Sequence, residues 1–228
     1  MKIIGILASP RKEKGNTYKV VNEMMREVST RGVDTELIHL SDFKINCCNA
    51  CFLCLTEGSC PQRDDVAFIQ DKILASDGII FGSPTYLLQV SAQAKAFLDR
   101  CCFWTHRPPL IGKYFVAVAT TAVTGEKGVS AYLRDVFRIF GARPIGELGA
   151  RLGFEDTSIE QGKIFNRVIE LANDLIRAIE EAREYPPSQM DLLSFQGFKN
   201  IIIKNKDIFK ADYEYWKVKG WLEADFYS

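Results

Sequence analysis

Residues 2–17 read KIIGILASPRKEKGNT, an apolar run rich in β-branched residues that leads into a loop of hydroxyl, basic and glycine residues. The apolar run predicts a buried strand over residues 2–8, and a helical pattern with one apolar face follows from about Thr17 to Thr30. Backbone N–H groups at a helix start, with hydroxyls and a basic residue beside them, form a ready anion site. The stretch therefore predicts the first strand–loop–helix unit of an α/β domain, with an anion bound in the loop.

The alternation of strands and helices continues along the chain. Further apolar strands are predicted near residues 35–40, 78–82, 114–120 and 143–149. Helical patterns lie between and after them: one follows Asp64 and Asp65 and runs through Leu74, and others lie near residues 91–101, 129–140 and 158–183. Apolar strands joined by helical crossovers indicate a parallel sheet covered on both faces. We therefore expect an α/β fold with a flavodoxin-like, doubly wound sheet of five strands in the order 2-1-3-4-5, although periodicity alone does not fix the order.

The composition is that of a folded globular protein without a global charge. In 228 residues, Lys plus Arg equal Asp plus Glu at 29 each, so no general attraction to nucleic acid or to a membrane surface is expected. No apolar run approaches the length of a membrane span, and the first residues lack the features of a secretory signal. The composition thus predicts a cytoplasmic protein, in which seven cysteines are more natural as metal ligands or redox groups than as disulfides.

Two unequal parts are expected. Residues 1–185 form the flavodoxin-like domain, which carries a cysteine loop at residues 42–63. The sequence Tyr185-Pro-Pro ends the last helix of this domain, because proline cannot continue it. Residues 186–228, here called the C-terminal extension, are rich in aromatic side chains and are expected to dock on the domain or on a partner subunit.

Loops of small and hydroxyl residues follow three of the predicted strands. The first spans residues 9–17, the second reads FGSPTY over residues 81–86, and the third reads TTAVTGEKG over residues 120–128. The carboxyl ends of strands in such a sheet meet at one edge, so the three loops are expected to converge on one pocket. The first loop matches neither the Walker nor the Rossmann pattern, and its length and hydroxyl content suit the phosphate of FMN. Ordinary turn chemistry is the alternative for each loop taken alone.

Four cysteines with the spacing C-x2-C-x2-C-x5-C lie in the cysteine loop. They are Cys48, Cys51, Cys54 and Cys60, and Cys47 lies outside the regular spacing. Four thiolates so close in sequence suit an iron–sulfur cluster or zinc. Structural zinc sites usually pair two separated Cys-x2-Cys knuckles, and this chain has no second pair, which favours a [4Fe–4S] cluster. Zinc and unmetallated thiols remain alternatives.

Other cysteines and the two histidines are given structural roles. Cys101 and Cys102 follow an apolar helix and are expected to be buried as small hydrophobic residues. His39 falls on a strand, and His106 precedes Arg107 and two prolines in a possible lid or subunit contact. Asp64 and Asp65 are expected to cap the helix that follows them. No residue is assigned as a catalytic acid or base.

These motifs together resemble a known family. SPRKEKGNT at Ser9–Thr17, GSPTY at Gly82–Tyr86 and FLDR at Phe97–Arg100 are similar to the NADPH-dependent FMN reductase superfamily, which has a flavodoxin-like fold. INCCNACFLC…GSCPQRDD at residues 45–65 resembles the compact cysteine motif of the iron–sulfur flavoproteins of anaerobic archaea and bacteria, which carry FMN and a [4Fe–4S] cluster. The resemblance covers roughly residues 1–180, and the aromatic segment 213–221 is similar to the tails of related flavoproteins.

The resemblance implies roles for ten residues around FMN. The FMN phosphate would be held by Ser9, Arg11, Asn16 and Thr17. The isoalloxazine would be bordered by Pro84, Thr85 and Tyr86. The pocket would be completed by Thr120, Thr121 and Gly125. Arg11 as a solvent-facing charge and Tyr86 as a packing residue are the alternatives. The family also implies that Phe52 and Leu53 lie at a subunit interface, with the cluster near the flavin of an adjoining subunit.

Three hypotheses for function follow. The leading one is an oxidoreductase with FMN and a [4Fe–4S] cluster, which couples one- and two-electron carriers. It would take electrons from ferredoxin or NAD(P)H and pass them to a small acceptor such as a quinone or an oxygen species. The second is a flavin-only NAD(P)H-dependent FMN or quinone reductase, and the third is a flavodoxin-type electron carrier without enzymatic turnover. A homodimer or homotetramer is expected.

Overall fold

A central sheet of parallel strands organises the computed structural model, which describes residues 1–153 and 158–227. The strands of this part of the chain are β1 (Lys2–Leu7), β2 (Asp34–His39), β3 (Gly78–Tyr86), β4 (Gln89–Val90), β5 (Tyr114–Thr121) and β6 (Arg143–Arg151). Five of them are parallel neighbours in the order β2-β1-β3-β5-β6, and the two-residue β4 pairs antiparallel with the end of β3. The predicted order of the five parallel strands is therefore confirmed, and the short β4 is an addition.

Helices cover both faces of the sheet. Their bounds are α1 (Asn16–Thr30), α2 (Leu53–Thr56), α3 (Val66–Leu74), α4 (Ala92–Arg100), α5 (Glu126–Ile139), α6 (Ser158–Glu180), α7 (Gln189–Lys204) and α8 (Lys210–Val218). Short 3-10 turns occur at Lys12–Lys14, Leu40–Asp42 and Cys102–Thr105. Within the described residues, no helix is both long and apolar enough to cross a bilayer.

The two faces of the sheet carry separate hydrophobic cores. Ile4 and Ile6 of β1 belong to the core under α3, α4 and α5, whereas Ile3 and Leu7 belong to the core under α1 and α6. Successive side chains of a strand point to opposite faces, so a strand that is apolar at every position serves both cores. This double burial explains why residues 2–8 predicted a strand without an alternating pattern.

A close approach between β3 and α1 sets the position of the first loop. A Cβ atom at Gly82 would collide with Val21 Cγ2 and would lie 3.2 Å from Thr17 Cγ2. Only glycine lets the helix lie this near the strand. The first turn of α1 is thereby held over the carboxyl end of β3, where the second loop begins.

The C-terminal extension packs on the same chain. Ser188 caps α7 in a capping box with Asp191, and α8 lies against α2 of the cysteine loop. The extension has its own buried aromatic cluster, in which Phe195, Ile202, Trp216 and Trp221 are at most 2% exposed. The boundary between residues 185 and 186 stays a prediction.

Candidate functional site

An open cleft of about 230 Å³ lies at the carboxyl edge of the sheet. Residues from the ends of β1, β3 and β5 line it, together with Leu152 beyond β6. The lining includes nine of the ten residues assigned to FMN by resemblance: Ser9, Arg11, Asn16, Thr17, Pro84, Thr85, Tyr86, Thr120 and Thr121. The tenth, Gly125, is the N-cap of α5 and lies against Thr85. Three segments that are far apart in sequence therefore meet in one place.

The first loop is joined to the third by a buried hydrogen bond. Thr17 Oγ1 and Thr120 Oγ1 are 2.7 Å apart, and both residues are at most 4% exposed. The Asn16 side chain donates to the carbonyl of Leu152 over 2.9 Å. Residues near the start of α1 are thus fixed against two other strand ends, and the first-turn N–H groups of this helix are available to an anion.

The second and third loops also line the cleft and contact each other. Gly125 has φ +96°, and a Cβ there would lie 3.0 Å from Thr85 Cγ2 and 2.9 Å from Leu88 Cδ2. Thr85 Oγ1 is buried and, among the described residues, has no hydrogen-bond partner. A buried hydroxyl without a partner is costly unless a ligand satisfies it. This hydroxyl, in a cleft lined by other hydroxyls, fits a polar ligand such as FMN.

The tip between β3 and β4 is an exposed apolar feature beside the cleft. Leu87 and Leu88 have φ angles of +49° and +64°, and they are 98% and 61% exposed. Both residues adopt the left-handed region that glycine and asparagine usually occupy in such turns. The tip is therefore a strained element at the rim of the cleft.

The cysteine loop starts at the same edge of the sheet and then leaves it. An ion pair between Lys12 and Asp42 links the first loop to the start of the cysteine loop. Beyond it the chain is tightly curved, with positive φ at Ala50, Phe52 and Gly58. None of the cleft-lining residues in the described part of the chain is a cysteine.

A buried ion pair ties the two ends of the cysteine loop together. Arg100 at the end of α4 binds Asp64 through two hydrogen bonds of 2.5 and 3.1 Å, and its side chain is 1% exposed. Arg100 also donates to the carbonyl of Asn46 over 3.0 Å. Burial alone would raise the pKa of Asp64, but the hydrogen bonds from Arg100 and from the backbone N–H groups of Asn46 and Val66 lower it below its ordinary value.

The four predicted ligand thiols lie in one surface loop. Cys48 and Cys51 are exposed, and Cys54 and Cys60 are half-buried. Within residues 1–153 and 158–227, no three thiol, imidazole or carboxylate groups are gathered closely enough to hold a metal ion. The donor chemistry nevertheless fits a soft-metal cluster, and metal binding itself commonly draws such ligands together.

One further thiol lies beside this set. Hydrogen bonding with Cys102, burial, and the nearby thiols of Cys60 and Cys48 raise the pKa of Cys54. The same hydrogen bond lowers the pKa of Cys102. Cys102 is exposed, so its prediction as a buried small residue is wrong. The turn at Cys102–Thr105 breaks the helical direction and faces Cys102 towards the cysteine loop, whereas Cys101 is buried as predicted.

The ring of His106 lies among residues of the C-terminal extension. Its Nδ1 lies 2.8 Å from Asp212 Oδ2, and its ring packs against Phe198 and Phe209 at centroid distances of 5.2 and 5.4 Å. His106 therefore contacts the C-terminal extension of its own chain. The interpretation of this segment as a possible lid or subunit contact stays a prediction.

Comparison with known proteins agrees with this geometry. Residues 1–154 match the family described as NADPH-dependent FMN reductase. An iron–sulfur flavoprotein from Archaeoglobus fulgidus is 36% identical over 224 residues, which cover 97% of this chain and all of the relative. An iron–sulfur flavoprotein from Clostridioides difficile is 29% identical over 228 residues, 96% of this chain and 99% of the relative.

The fold is shared with smaller flavin proteins. A flavodoxin from the domain Archaea superimposes with a TM-score of 0.53 at 16% identity, over 79% of this chain and 99% of the flavodoxin. At this identity the likeness concerns the fold alone. The family match over residues 1–154 covers the sheet, the described part of the cleft and the cysteine loop, and the Archaeoglobus relative extends the match into the C-terminal extension. The chain belongs to the NADPH-dependent FMN reductase family and, within it, to the iron–sulfur flavoproteins.

Proposed function

We propose that the cleft binds FMN and that the protein is an electron-transfer oxidoreductase with a second, iron–sulfur centre in the cysteine loop. The observation that carries the first part is the convergence of nine assigned residues from three separate segments on one cleft. Family membership supports an FMN-dependent oxidoreductase. The name shared by the two relatives supports the iron–sulfur centre.

The chain's own residues bind and orient the flavin. Ser9, Arg11, Asn16 and Thr17 hold the phosphate, because hydroxyl, amide and guanidinium groups surround the N-terminus of α1. Pro84, Thr85 and Tyr86 border the isoalloxazine, and Thr120, Thr121 and Gly125 complete the pocket. When bound, FMN supplies two-electron and one-electron redox chemistry, whereas the protein supplies orientation and electrostatics.

The cysteine loop is proposed to hold a [4Fe–4S] cluster through Cys48, Cys51, Cys54 and Cys60. The spacing and the all-thiol donor set support this assignment. Phe52, which is 64% exposed, and Leu53 lie between the ligands, where apolar side chains would limit access of water. Electrons would come from ferredoxin or NAD(P)H and pass to a small acceptor such as a quinone or an oxygen species, in a protein expected in the cytoplasm.

Steady-state assays would distinguish an enzyme from a carrier. With anaerobically reconstituted protein, oxidation of NADH, NADPH and reduced ferredoxin is followed in the presence of quinone and of oxygen. Turnover with a nicotinamide at unchanged rate after the cysteines are replaced would favour the flavin-only reductase. If the protein is reduced once by a donor but does not turn over with any pair of donor and acceptor, the flavodoxin-type carrier is favoured.

Gly15→Ala is expected to weaken FMN binding. The backbone at Gly15 has φ −92°, so alanine adopts it without strain, but its Cβ would lie 2.8 Å from Ser9 Oγ and 3.3 Å from the Lys12 carbonyl. Ser9 is 2% exposed and has little room to move. Overpacking of about 1–3 kcal/mol corresponds to a rise in Kd for FMN of about 5- to 150-fold, measured by fluorescence titration of the flavin-free protein.

Gly128→Ala is the matched control for this variant. Gly128 lies in α5, and a Cβ there meets no atom within 4 Å. The control should bind FMN as tightly as the wild type, because it changes neither the first loop nor the cleft. If Gly15→Ala binds FMN like its control, Ser9 and the first loop do not hold the phosphate.

We also propose that the protein is a homodimer or homotetramer. The cysteine loop and the cleft share no lining residue within the described chain, and Phe52 exposes an apolar side chain on the cysteine loop. A second copy would cover that side chain and could bring its own cleft near the loop. The proposed electron donors, ferredoxin and NAD(P)H, do not depend on this assembly.

Phe52→Ser is expected to shift the assembly towards the monomer. Light scattering of the cofactor-loaded wild type should give at least twice the monomer mass of 25.8 kDa, and the variant should dissociate at protein concentrations where the wild type does not. Val218→Ser, at an apolar residue that is 84% exposed on α8, is the control for lost surface hydrophobicity. A monomeric wild type would contradict the proposal.

A further inference from the structure

The guanidinium of Arg107 connects three parts of the chain. Its Nε lies 2.7 Å from Asp212 Oδ1 on α8. Its Nη2 donates to the carbonyl of Cys54 over 2.6 Å, and its Nη1 donates to the carbonyl of Gly58 over 3.0 Å. One planar group therefore binds the C-terminal extension at one end and the middle of the cysteine loop at the other.

Asp212 is the buried anchor of this connection. Its side chain is 0% exposed, while those of His106 and Arg107 are 16% and 12% exposed. Oδ2 lies within hydrogen-bond distance of His106 Nδ1, at 2.8 Å, whereas Oδ1 makes an ion pair with Arg107 Nε at 2.7 Å whose alignment is not that of a hydrogen bond. A buried carboxylate is tolerated because such partners compensate its charge, so Asp212 fixes the direction of the Arg107 side chain.

The surrounding packing leaves Arg107 little freedom. Its Cζ lies 5.1 Å from the centroid of the Phe103 ring, in a cation–π contact. The indole of Trp216, which is fully buried, donates to the carbonyl of His106 over 2.5 Å. This bond fixes the residue that precedes Arg107. A Cβ atom at Gly58 would lie 3.4 Å from Arg107 Nη1 and 3.6 Å from Ala211 Cβ, so α8 itself touches the loop at this point.

We propose that Asp212, acting through Arg107, is a positioning residue for the cluster-binding segment of the cysteine loop, so that the C-terminal extension serves as a clamp on that segment. The inference rests on the proposed function, because it concerns residues between two of the assigned ligands, Cys54 and Cys60. Partners that fix the ligands of a metal centre commonly change metal affinity about 10- to 100-fold when they are removed. The position of the loop also sets how far the cluster is exposed to water, and hence its reduction potential.

The fork geometry of arginine is essential to this clamp. Three nitrogen atoms of Arg107 each contact a different group: Nε pairs with Asp212, Nη1 binds the Gly58 carbonyl and Nη2 binds the Cys54 carbonyl. The single ammonium of lysine cannot reach all three groups in the same arrangement. Arg107→Lys thus keeps the charge beside Asp212 and loses the hold on the loop. Asp212→Asn keeps the shape of the side chain and removes the charge that directs Arg107.

The test compares these two variants with Glu214→Gln, which removes an exposed carboxylate from the same helix. After anaerobic reconstitution, we expect both clamp variants to release iron to a ferrous chelator about 10- to 100-fold faster than the wild type. The midpoint potential of the cluster should shift, whereas the potential of the bound flavin and the Kd for FMN should not. Glu214→Gln should match the wild type in every measurement.

Amide hydrogen exchange in the cluster-free protein supplies a readout that needs no cluster. The amides of Leu55 and Glu57 are bonded within the loop to the carbonyls of Phe52 and Leu53, at 2.9 and 2.7 Å. They should exchange faster in Arg107→Lys and Asp212→Asn while the amides of β1 and β5 keep their protection. Unchanged iron release, cluster potential and loop exchange would overturn the inference, and so would a parallel loss of flavin binding, which indicates general destabilisation.

The two proposals fail in different ways. A wild-type protein that binds no iron and sulfide contradicts the iron–sulfur function, and the exchange measurement still decides whether the extension holds the loop. A wild type that carries the cluster, with clamp variants that behave like Glu214→Gln, contradicts the clamp alone. If Asp212→Asn does not fold, Arg107→Lys carries the test, because it leaves a cation near the buried carboxylate.

Discussion

Cys48→Ser is expected to abolish the iron–sulfur centre and leave the flavin in place. A [4Fe–4S] cluster needs four ligands, so the iron and sulfide contents should fall from about four each per chain to nearly none. The broad visible absorption should disappear, leaving the bands of FMN, because the cleft contains no cysteine among its described lining residues. The measurement combines iron and sulfide analysis with visible spectra after anaerobic reconstitution.

Cys47→Ser is the matched control for this experiment. It replaces the same side chain at the adjacent, equally exposed position, which lies outside the regular spacing. The control should keep the full iron content. Retention of iron in Cys48→Ser, or equal loss from both variants, would contradict the assigned ligand set. About one zinc ion per chain in place of iron would instead favour the zinc alternative.

Cys102 gives this ligand set a further check. Its thiol interacts with Cys54 in the structure, although it lies far outside the C-x2-C-x2-C-x5-C spacing. Cys102→Ser should therefore keep about four irons per chain if the spacing identifies the ligands. Loss of the cluster from this variant would bring Cys102 into the set and remove one of the four loop cysteines from it.

The sheet could be predicted from local sequence because its strands are buried on both faces. Apolar runs such as that of Ile3–Leu7 indicate strands whatever their neighbours are, and helical crossovers between them require parallel pairing. The two-residue β4 and the extension of β3 to Tyr86 carry no periodicity of their own. They depend on the turn at Leu87 and Leu88, two residue types that seldom form such a turn.

The cleft could be predicted from the same topology. Ser9, Thr85 and Thr120 lie at or just beyond the carboxyl ends of three parallel strands, and such ends meet at one edge of the sheet. The hydrogen bond between Thr17 and Thr120 joins residues 103 positions apart. The topology predicts that both residues lie near the cleft, but it does not predict that they bond to each other. Family resemblance then supplied the roles around FMN, which the geometry accommodates.

The surroundings of the cysteine loop could not be predicted in this way. Arg107 and Asp212 are 105 positions apart, and their pairing depends on how the C-terminal extension folds back over the domain. The sequence predicts Asp64 as a helix cap, and Asp64 accepts a hydrogen bond of 3.2 Å from Val66 N–H. Its partnership with Arg100, 36 positions away, is set by the packing of α4 beside the loop.

Arg100→Met is expected to destabilise the folded protein by about 3–5 kcal/mol, because it leaves the buried Asp64 carboxylate without its cation. Methionine fills a similar volume, so lost packing contributes little. Lys95→Met is the control on the same helix, since it breaks an exposed ion pair with Asp99 and should cost less than about 0.5 kcal/mol. Urea unfolding of the cluster-free protein, followed by tryptophan fluorescence, measures both.

The pH dependence separates the lost ion pair from a packing defect. In the wild type the pKa of Asp64 is lowered, so its contribution to stability is fully present above its unfolded value near 3.9 and is lost as the pH falls through the folded value. Arg100→Met removes the cation that lowers this pKa, so the difference in unfolding free energy between wild type and variant should shrink below about pH 4. The double variant Arg100→Met, Asp64→Asn should be more stable than Arg100→Met at neutral pH, because no charge is then buried alone. A difference that stays constant with pH, together with no recovery in the double variant, would assign the loss to packing and not to the ion pair that closes the cysteine loop.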